Sequence, residues 1–459
     1  MNLHAALGVR SEVLFGHFTI RSILSACRGL IRPSQGRSDT KPELTAYLFY
    51  RILNEMGRAA ADRPLVREIN RALVLHEIRQ RGPLSRSEIA RSTGLSTATV
   101  GAITSELLSY GLVAEADGSP GGRGRPGTPL TFLPSAFQVV GIKLMEDHLV
   151  GAVTNLEAEP IAEEDEALDG LEPAQVVAAA KSLVDRIYAE AGLDRKWLLG
   201  VGIGMAGIVD GDKGTCRYSP FFGWTDVPLA SMASDAIGVP VRLENDVNTL
   251  ALAERWFGVG HDIDDFVLVT LGRGIGLGVV SDGRLYRGAA GGAGEFGHTV
   301  VDGNARPCPC GNIGCLEASV SEPALLDAAR TLLGSQAGEL ARVEDVYAKA
   351  TGDPRIGQLL GQAGRTLGRG LANVVNLFAP ELVIVSGEGI RAGEPLLAPM
   401  GEELMHRVFP GLRNTFELAV EPLPDAAWAR GAASLVLDDL FDSPLRAGTD
   451  LLWSREMTS

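Results

Sequence analysis

The pattern of hydrophobic and polar positions over residues 65–133 predicts three short helices. Apolar residues recur every three or four positions in each of them. The first helix should end at Gly82-Pro83, and Ser85 with Glu88 three positions later forms a capping-box pattern that starts the second. Ser96 is placed to cap the third. Three short helices in this close succession are typical of a helix-turn-helix.

A short β-hairpin is predicted after the third helix. Leu112–Ala114 and Pro129–Leu133 can pair as two strands. The segment between them, Gly118–Gly127, is rich in glycine and holds Arg123 and Arg125. A hairpin at this position adds a wing to the helix-turn-helix.

From residue 137 onwards the pattern changes to alternating strands and helices. Short apolar, largely β-branched runs predict buried strands at Val139–Leu144, Leu199–Ile203, Val239–Leu243, Phe266–Thr270 and Leu382–Ser386. Longer stretches, such as Pro173–Ala191 and Ile356–Phe378, predict helices, and glycine-rich turns follow several of the strands. This alternation indicates an α/β domain with parallel strands and with ligands at the strand ends.

These changes of pattern divide the chain of 459 residues into four parts. We expect an N-terminal extension without assigned function over 1–64, the winged helix-turn-helix over 65–133, the α/β part over 137–442 and a tail over 443–459. The length is enough for about three domains.

The net charge of −15 is unevenly distributed. Residues 1–130 hold 17 Lys and Arg against 11 Asp and Glu, whereas the remainder holds 25 against 46. A basic front end on an acidic body indicates that only the front end meets a polyanion. No apolar run reaches the roughly 18 residues of a membrane helix, and charges interrupt the apolar stretches of the first thirty positions. We therefore expect a cytoplasmic protein that contacts no membrane.

Residues of two kinds in the winged helix are candidates for DNA contact. Short polar side chains beside the third helix can meet phosphates or base edges, and arginines in a glycine-rich tip suit phosphates or the minor groove. The candidates are Arg86, Ser96, Thr97, Thr99, Arg123 and Arg125. A three-helix protein–protein module would explain the helices but not the two arginines at the tip, so the pattern favours DNA.

Three of the five cysteines lie within eight residues of one another. In a reducing compartment such a cluster indicates a metal before a disulfide. Cys308, Cys310 and Cys315 together with His298 make a closed tetrahedral set that suits Zn²⁺. Four protein ligands leave no position for a reactive water, which predicts a structural zinc. The alternative is a group of free thiols with an unrelated histidine.

Polar side chains near this cluster are suited to holding a polyol. Asn245 and Asp246 follow a predicted strand, Glu295 precedes His298 by three positions, and Glu317 follows a predicted zinc ligand by two. Carboxylates and amides hydrogen-bond neighbouring hydroxyls, as a sugar requires. Taken singly, each is more commonly a surface or capping group. The ring of His298 can bind a metal through one nitrogen and a ligand through the other.

These motifs resemble the ROK family of repressors, open reading frames and kinases over residues 65 to about 442. They are Gly82-Pro-Leu-Ser-Arg-Ser-Glu-Ile-Ala90, Gly94-Leu-Ser, Arg125-Pro126, Glu244-Asn-Asp246, Gly294-Glu-Phe-Gly-His298 and the Cys-x-Cys-Gly-x-x-Gly-Cys-Leu-Glu run ending at Glu317. The winged-helix motifs resemble the repressor branch. The resemblance implies a two-lobed actin-like, sugar-kinase (RNase H-like) fold. It also implies a sugar site lined by Asn245, Asp246, Glu295, His298 and Glu317, with Asp246 matching the base of the family's kinases.

The phosphate loops depart from the kinase pattern. Family kinases open the domain with Asp-x-Gly-Gly-Thr, whereas this chain has Lys143 in place of the acid and Met145-Glu-Asp147 in place of Gly-Gly-Thr. The kinase acid helps to hold the metal–nucleotide, and the glycines let backbone N–H groups approach phosphate. In the second loop Arg273 replaces a small hydroxyl residue, although Val383–Gly389 still resembles the adenosine-side segment. We therefore expect no kinase activity.

The sequence predicts a DNA-binding transcriptional regulator, a sugar-responsive repressor of carbohydrate uptake or catabolism genes. Its expected partners are operator DNA, a small sugar or sugar-phosphate effector, and copies of itself in a dimer or tetramer that matches a palindromic operator. One alternative is an ATP-dependent ROK sugar kinase with an accessory DNA-binding domain. Another is a DNA-bound regulator whose input is a protein.

Overall fold

A computed structural model describes residues 63–116, 128–301, 306–423 and 427–441. They fall into two compact units. Unit 1 comprises the described residues up to Glu106 together with Glu115–Thr131, and unit 2 comprises Leu107–Ala114 and the described residues from Phe132. Most of the predicted N-terminal extension, the tip of the wing and the predicted tail lie outside the described residues.

The three helices and the hairpin predicted at the front of the chain are present. They are α1 (Arg63–Arg81), α2 (Arg86–Thr93), α3 (Thr97–Ser109), β1 (Val113–Glu115) and β2 (Leu130–Phe132), and the two strands pair with each other. The hydroxyl of Ser85 accepts from the backbone N–H of Glu88, and the Glu88 carboxylate accepts from the N–H of Ser85. Gly94 ends α2 with φ 71°, a left-handed conformation that glycine adopts without strain. The predicted capping box and turn are therefore confirmed.

Unit 2 contains the α/β part of the chain. Its strands are β3 (Gln138–Leu144), β4 (His148–Thr154), β5 (Pro160–Ala167), β6 (Leu198–Met205), β7 (Ile208–Asp210), β8 (Thr215–Ser219), β9 (Trp224–Val227), β10 (Val241–Asn245), β11 (Phe266–Leu271), β12 (Ile275–Ser281), β13 (Arg284–Leu285), β14 (Leu382–Ser386) and β15 (Glu417–Val420). Its helices are α4 (Pro173–Glu190), α5 (Leu229–Ile237), α6 (Asp246–Phe257), α7 (Glu317–Val320), α8 (Glu322–Leu333), α9 (Val343–Lys349), α10 (Pro354–Phe378), α11 (Glu394–Arg407) and α12 (Ala427–Phe441).

Two five-stranded sheets with the same topology define two lobes of unit 2. The first lobe has the strand order β10-β6-β3-β4-β5 and the second β13-β12-β11-β14-β15. In each sheet the strand that comes first along the chain is central, pairs antiparallel with the next strand and parallel with the fourth. The small sheet β7-β8-β9 follows β6 in the first lobe. The expected two-lobed α/β fold is confirmed.

Glycines let one helix, α12, lie close against the first sheet. A Cβ at Gly141 would lie 1.8 Å from the carbonyl oxygen of Ala429, and one at Gly202 would lie 1.8 Å from that of Ala432, so α12 packs directly on β3 and β6. The glycine-rich run Gly202–Gly207 predicts a turn, but Gly202 and Gly204 lie inside β6. These glycines allow close packing instead of forming a loop.

Each lobe buries its own apolar core, which includes Val140, Ile142 and Val201 in the first lobe and Val269, Leu367 and Val385 in the second. A further apolar cluster surrounds α6. Among the helices of the described residues, none combines the length and the apolar character needed to cross a bilayer.

Candidate functional site

The first candidate residues lie where β10 ends and α6 begins. Asn245 ends β10 and caps α6, because its Oδ1 accepts from the backbone N–H groups of Val247 at 2.9 Å and Asn248 at 3.2 Å. Its Nδ2 donates to the carbonyl of Gly207 at 3.1 Å. The amide of Asn245 therefore fixes the start of the helix and with it the position of Asp246, the first residue of α6.

Asp246 is paired with a lysine that lies within β3. The ammonium of Lys143 donates to Oδ2 of Asp246 and lies 4.4 Å from the centre of the Trp428 ring. Lys143 is only 7% exposed and the Asp246 side chain 13%. A buried cation is tolerated when it has a carboxylate partner, since the two charges compensate each other. Lys143 of β3 and Asp246 of α6 thus form a buried ion pair.

A second buried ion pair lies beside the first. Glu244 is 1% exposed, and its carboxylate accepts from the Arg287 guanidinium, from the backbone N–H of Asn245 at 2.9 Å and from Nδ2 of Asn248 at 3.1 Å. Arg287 follows β13, so the pair joins the first lobe to the segment that leads to Glu295. This pair fixes the backbone on both sides of the candidate residues.

The remaining candidates come from the second lobe. Nε2 of His298 lies 3.9 Å from the Glu295 carboxylate, and the Glu317 carboxylate at the start of α7 accepts from the N–H of Ile275 at 3.0 Å. Burial raises the pKa of Glu295, the carboxylates of Glu317 and Asp246 raise it further, and His298 opposes the rise. These acids are therefore close enough to affect one another. Asp246, Glu295, His298 and Glu317 therefore lie in one region of the structure, and their binding of a sugar stays a prediction.

His298 also belongs to a cluster of potential metal ligands. Its ligand atom and those of Cys308, Cys310 and Cys315 all lie within 4.8 Å of one another. Nδ1 of His298 is 3.6 Å from Sγ of Cys308, so the two ring nitrogens face different groups. Burial and the neighbouring thiols raise the pKa of Cys315 to about 12. Three thiols and an imidazole converge here, and the cluster has the donors and the spacing to hold a metal ion.

The backbone around the cysteines turns tightly to bring them together. Gly311 has φ 92° and Gly314 has φ 84°, values that favour glycine. Isolated bridges join Pro307 to Ile313 and Val300 to Cys315. These left-handed turns let the chain bring Cys310 and Cys315 into the cluster.

The β3–β4 turn and the β11–β12 turn carry a third ion pair. Glu146, in the β3–β4 turn, lies 2.6 Å from the Arg273 guanidinium, in the β11–β12 turn. The Arg273 side chain is 63% exposed, so water weakens this pair more than the two buried ones. The pair joins a turn of the first lobe to a turn of the second.

The candidate DNA-contacting residues of unit 1 lie mainly at the start of α3. Ser96 and Thr97 are exposed and Thr99 is half-buried. The Ser96 hydroxyl accepts from the Thr99 N–H at 3.1 Å, which is the expected cap. Arg86 donates to the Thr104 hydroxyl at 3.1 Å and lies 3.4 Å from the Glu115 carboxylate. Arg123 and Arg125 lie outside the described residues.

The sequence model of the ROK family matches residues 139–439 of this chain. This is more than half of the chain. The chain belongs to the ROK family. The expected family is therefore confirmed.

Two kinds of ROK protein are similar to this chain. The xylose repressor of Caldicellulosiruptor bescii is 31% identical over 391 residues, covering 83% of this chain and 98% of that repressor. The crystal structure of an ROK family transcriptional regulator, a homologue of the Escherichia coli MLC protein, has a TM-score of 0.75 at 29% identity and covers 83% of this chain. An ROK glucokinase from Streptomyces griseus, solved with glucose and AMPPNP, has a TM-score of 0.57 at 29% identity and covers 65% of this chain and 98% of its own.

The partners of Lys143, Arg273 and Glu244 are the functional features that sequence reasoning about this ROK protein missed. The sequence signal for a partner of Lys143 was this single lysine inside the apolar run Val139–Leu144, because a charge in a buried strand requires a partner. The sequence did not indicate which of the many carboxylates supplies it.

Proposed function

We propose that this chain is a DNA-binding transcriptional repressor that responds to a sugar and controls genes of carbohydrate uptake or catabolism. The extent of the similarity supports this most directly. The xylose repressor aligns with 83% of the chain, whereas the glucokinase aligns with 65%. The family model begins at residue 139, so the longer alignment must include much of the region that contains the helix-turn-helix. A kinase would not need that region.

The proposed DNA-contacting surface is the start of α3 together with the wing. Ser96, Thr97 and Thr99 supply short polar groups, and Arg86 lies on the neighbouring helix. Arg123 and Arg125 supply phosphate or minor-groove contacts from the wing. A dimer or tetramer would bring two such surfaces to a palindromic operator.

The proposed sensor is the group of side chains at the start of α6 and beside the cysteine cluster. Asp246, Glu295 and Glu317 offer acceptors to sugar hydroxyls, Nε2 of His298 faces the same space, and Asn245 fixes the position of Asp246 through its cap. The amide of Asn245 is engaged by the backbone at both ends, so its part in the site is positioning.

Zinc is the metal that best fits the cysteine cluster. Three thiolates and one imidazole are the donor set of closed structural zinc sites, and bound Zn²⁺ would supply the charge that keeps buried thiols deprotonated. Nδ1 of His298 faces the thiols, which leaves Nε2 for the sugar. The proposed role of zinc is to hold the segment between His298 and Glu317 rigid.

Two ion pairs support the absence of kinase activity. Lys143 engages Asp246, so this carboxylate is already neutralised before it could take a proton from a hydroxyl. Arg273 and Glu146 pair with each other between the loops that would cradle the phosphates of a nucleotide. Glu244 and Arg287 form the third pair, which is buried and serves to position the backbone.

The binding of sugar and the binding of DNA must then be coupled energetically. If sugar lowers the affinity for DNA, DNA lowers the affinity for sugar by the same factor, and couplings of this kind amount to about 1–3 kcal/mol. The sugar must bind two states of the protein with different affinity, since otherwise it shifts nothing.

The test begins with the full-length protein and DNA selected by it from random fragments. Fluorescence anisotropy on the selected DNA, with and without D-xylose, D-glucose, D-mannose or N-acetyl-D-glucosamine, should show at least one sugar that changes the dissociation constant about fivefold or more. An affinity that no sugar alters, at concentrations up to the millimolar range, would contradict sugar sensing. Failure to select any DNA would contradict the repressor.

A measurement of ADP release distinguishes the repressor from the kinase alternative. With ATP, Mg²⁺ and the same sugars, we expect no turnover above that of the protein without sugar. Turnover that disappears in Asp246→Asn would establish the enzyme instead.

A further inference from the structure

We propose that the sensor site takes an uncharged sugar and excludes the phosphate ester of the same sugar. This inference rests on the proposed function, because it concerns the effector of that site. Two observations support it: the charges around Asp246, and the hydrogen-bond donors that already have acceptors there.

Three lysine and arginine side chains in the described part of this region each have a carboxylate partner within the protein. Lys143 pairs with Asp246. Arg287 pairs with Glu244, and Arg273 pairs with Glu146. Lys143 and the Glu244 carboxylate are almost fully buried, so these charges are compensated in place and not by solvent. A phosphate group would have to displace a carboxylate to obtain a cation.

Carboxylates outnumber cations in the same region. Beyond the three pairs, Glu295 and Glu317 add two acids: the Glu295 carboxylate lies 3.9 Å from Nε2 of His298, and the Glu317 carboxylate accepts from the N–H of Ile275 at 3.0 Å. Like charges at close range in a partly buried site repel each other strongly, because water screens them poorly. A phosphate ester carries up to two negative charges at neutral pH, so these carboxylates would repel it.

The backbone donors that commonly bind phosphate are engaged too. The N–H groups of Val247 and Asn248 at the start of α6 are directed to the Asn245 side chain, and the N–H of Val247 also to Asp246. The N–H of Ile275, at the end of the second loop, donates to Glu317. Helix starts and glycine loops are common anion sites, and here side chains of the protein accept from these three N–H groups.

Sugar hydroxyls meet none of these obstacles. Each hydroxyl is a donor as well as an acceptor, so it can donate to the carboxylates of Glu295 and Glu317 without separating an ion pair. The Lys143–Asp246 pair offers a donor and an acceptor side by side, which matches two neighbouring hydroxyls. The arrangement therefore favours a neutral polyol.

The test is isothermal titration calorimetry on the full-length, zinc-containing protein. The probes are D-xylose, D-glucose, D-mannose and N-acetyl-D-glucosamine, each compared with its own phosphate ester. We expect at least one parent sugar to bind and its ester to bind at least about tenfold more weakly. An ester that binds as tightly as its parent, or more tightly, would overturn this inference and leave the sugar-sensing repressor intact. If no compound of either kind binds, both the inference and the proposed sensor fail.

A pair of variants tests the cause of the selectivity. Asp246→Asn releases the Lys143 ammonium, so the ratio of ester to parent dissociation constants should fall by about threefold or more. Asp185→Asn is the matched control, because Asp185 also pairs with a lysine and an arginine, Lys181 and Arg195, on α4 and after it. This control should leave the ratio at the wild-type value. An unchanged ratio in Asp246→Asn would show that the paired charges do not set the selectivity.

Discussion

Replacing Arg287 by methionine tests whether the buried pair beneath the site holds the fold in place. Glu244 is 1% exposed and the Arg287 side chain 13%, so the substitution leaves a carboxylate buried without its cation. Removing one partner of such a pair costs about 3–5 kcal/mol. The donors from Asn245 and Asn248 remain and moderate the loss. We therefore expect the free energy of unfolding of unit 2 to fall by about 3 kcal/mol.

Tryptophan fluorescence during denaturant unfolding measures this change in unit 2. The tryptophans among the described residues, Trp197, Trp224, Trp256 and Trp428, all lie in that unit, so an independent transition of unit 1 does not enter the signal. Adding Glu244→Gln to Arg287→Met should restore most of the stability, because no unpaired charge is then buried.

An exposed pair provides the control for that experiment. Arg217 lies 2.6 Å from Asp226, with side chains 43% and 56% exposed, and Arg217→Met should cost less than about 1 kcal/mol. The reasoning is refuted if Arg287→Met costs no more than Arg217→Met, or if the double variant is as unstable as Arg287→Met alone.

Four further outcomes follow from other parts of the molecule. Cys310→Ser should lower the bound zinc, measured by atomic emission, and remove the sugar response while circular dichroism still shows a folded protein; zinc retained in full would contradict the ligand assignment. Arg123→Ala with Arg125→Ala should weaken DNA binding and reduce the slope of log affinity against log salt by about one for each lost phosphate contact, whereas an unchanged slope would exclude those contacts. Burial and the nearby Glu421 carboxylate raise the pKa of Glu254, so the stability linked to it is present at low pH and is lost as pH rises through that pKa; Glu254→Gln should therefore be more stable than wild type at pH 7.5, with the difference closing in acid. Gly202→Ala would place a Cβ 1.8 Å from the Ala432 carbonyl oxygen and should destabilise unit 2 by about 1–3 kcal/mol in denaturant unfolding.

Local sequence signals predicted the elements of this fold well. Ser85, Glu88 and Gly94 gave the limits of α2, because a cap and a left-handed turn depend on residues within one helical turn. The strand Leu382–Ser386 was predicted with its observed bounds, because the flanking Glu381 and Gly387 limit this apolar run to the length of a buried strand. The family resemblance, and not periodicity, supplied the two-lobed architecture.

Glycine patterns were ambiguous for a physical reason. A run of alternating glycines suits a phosphate loop, but it also suits a strand on which a helix packs closely. A Cβ at Gly276 would lie 2.3 Å from the Val247 side chain, and one at Gly278 would lie 2.8 Å from Ala251. These two glycines therefore allow α6 to pack closely on β12. Only the position of the helix distinguishes the two uses.

Long-range partners were the part that a single sequence did not reveal. Lys143 and Asp246 are 103 positions apart, and Glu244 and Arg287 are 43 apart. The contact between Lys143 and Asp246 depends on the parallel alignment of β3, β6 and β10, in which Leu144 and Asn245 both lie beside Met205. No local pattern encodes that alignment.

Asp246 has a reason to be a carboxylate that does not involve catalysis. The lysine in β3 is buried, and without an acid beside it the strand would hold an uncompensated charge at a cost of several kcal/mol, on the order of the penalty for breaking a buried pair. A protein with Lys143 therefore requires an acid at this position, whether or not it transfers phosphate. The same carboxylate in a chain with an acid at the lysine position would have no cation and would be available as a base. The residue opposite Asp246 thus decides what Asp246 can do, and a motif that contains the aspartate alone does not identify a kinase.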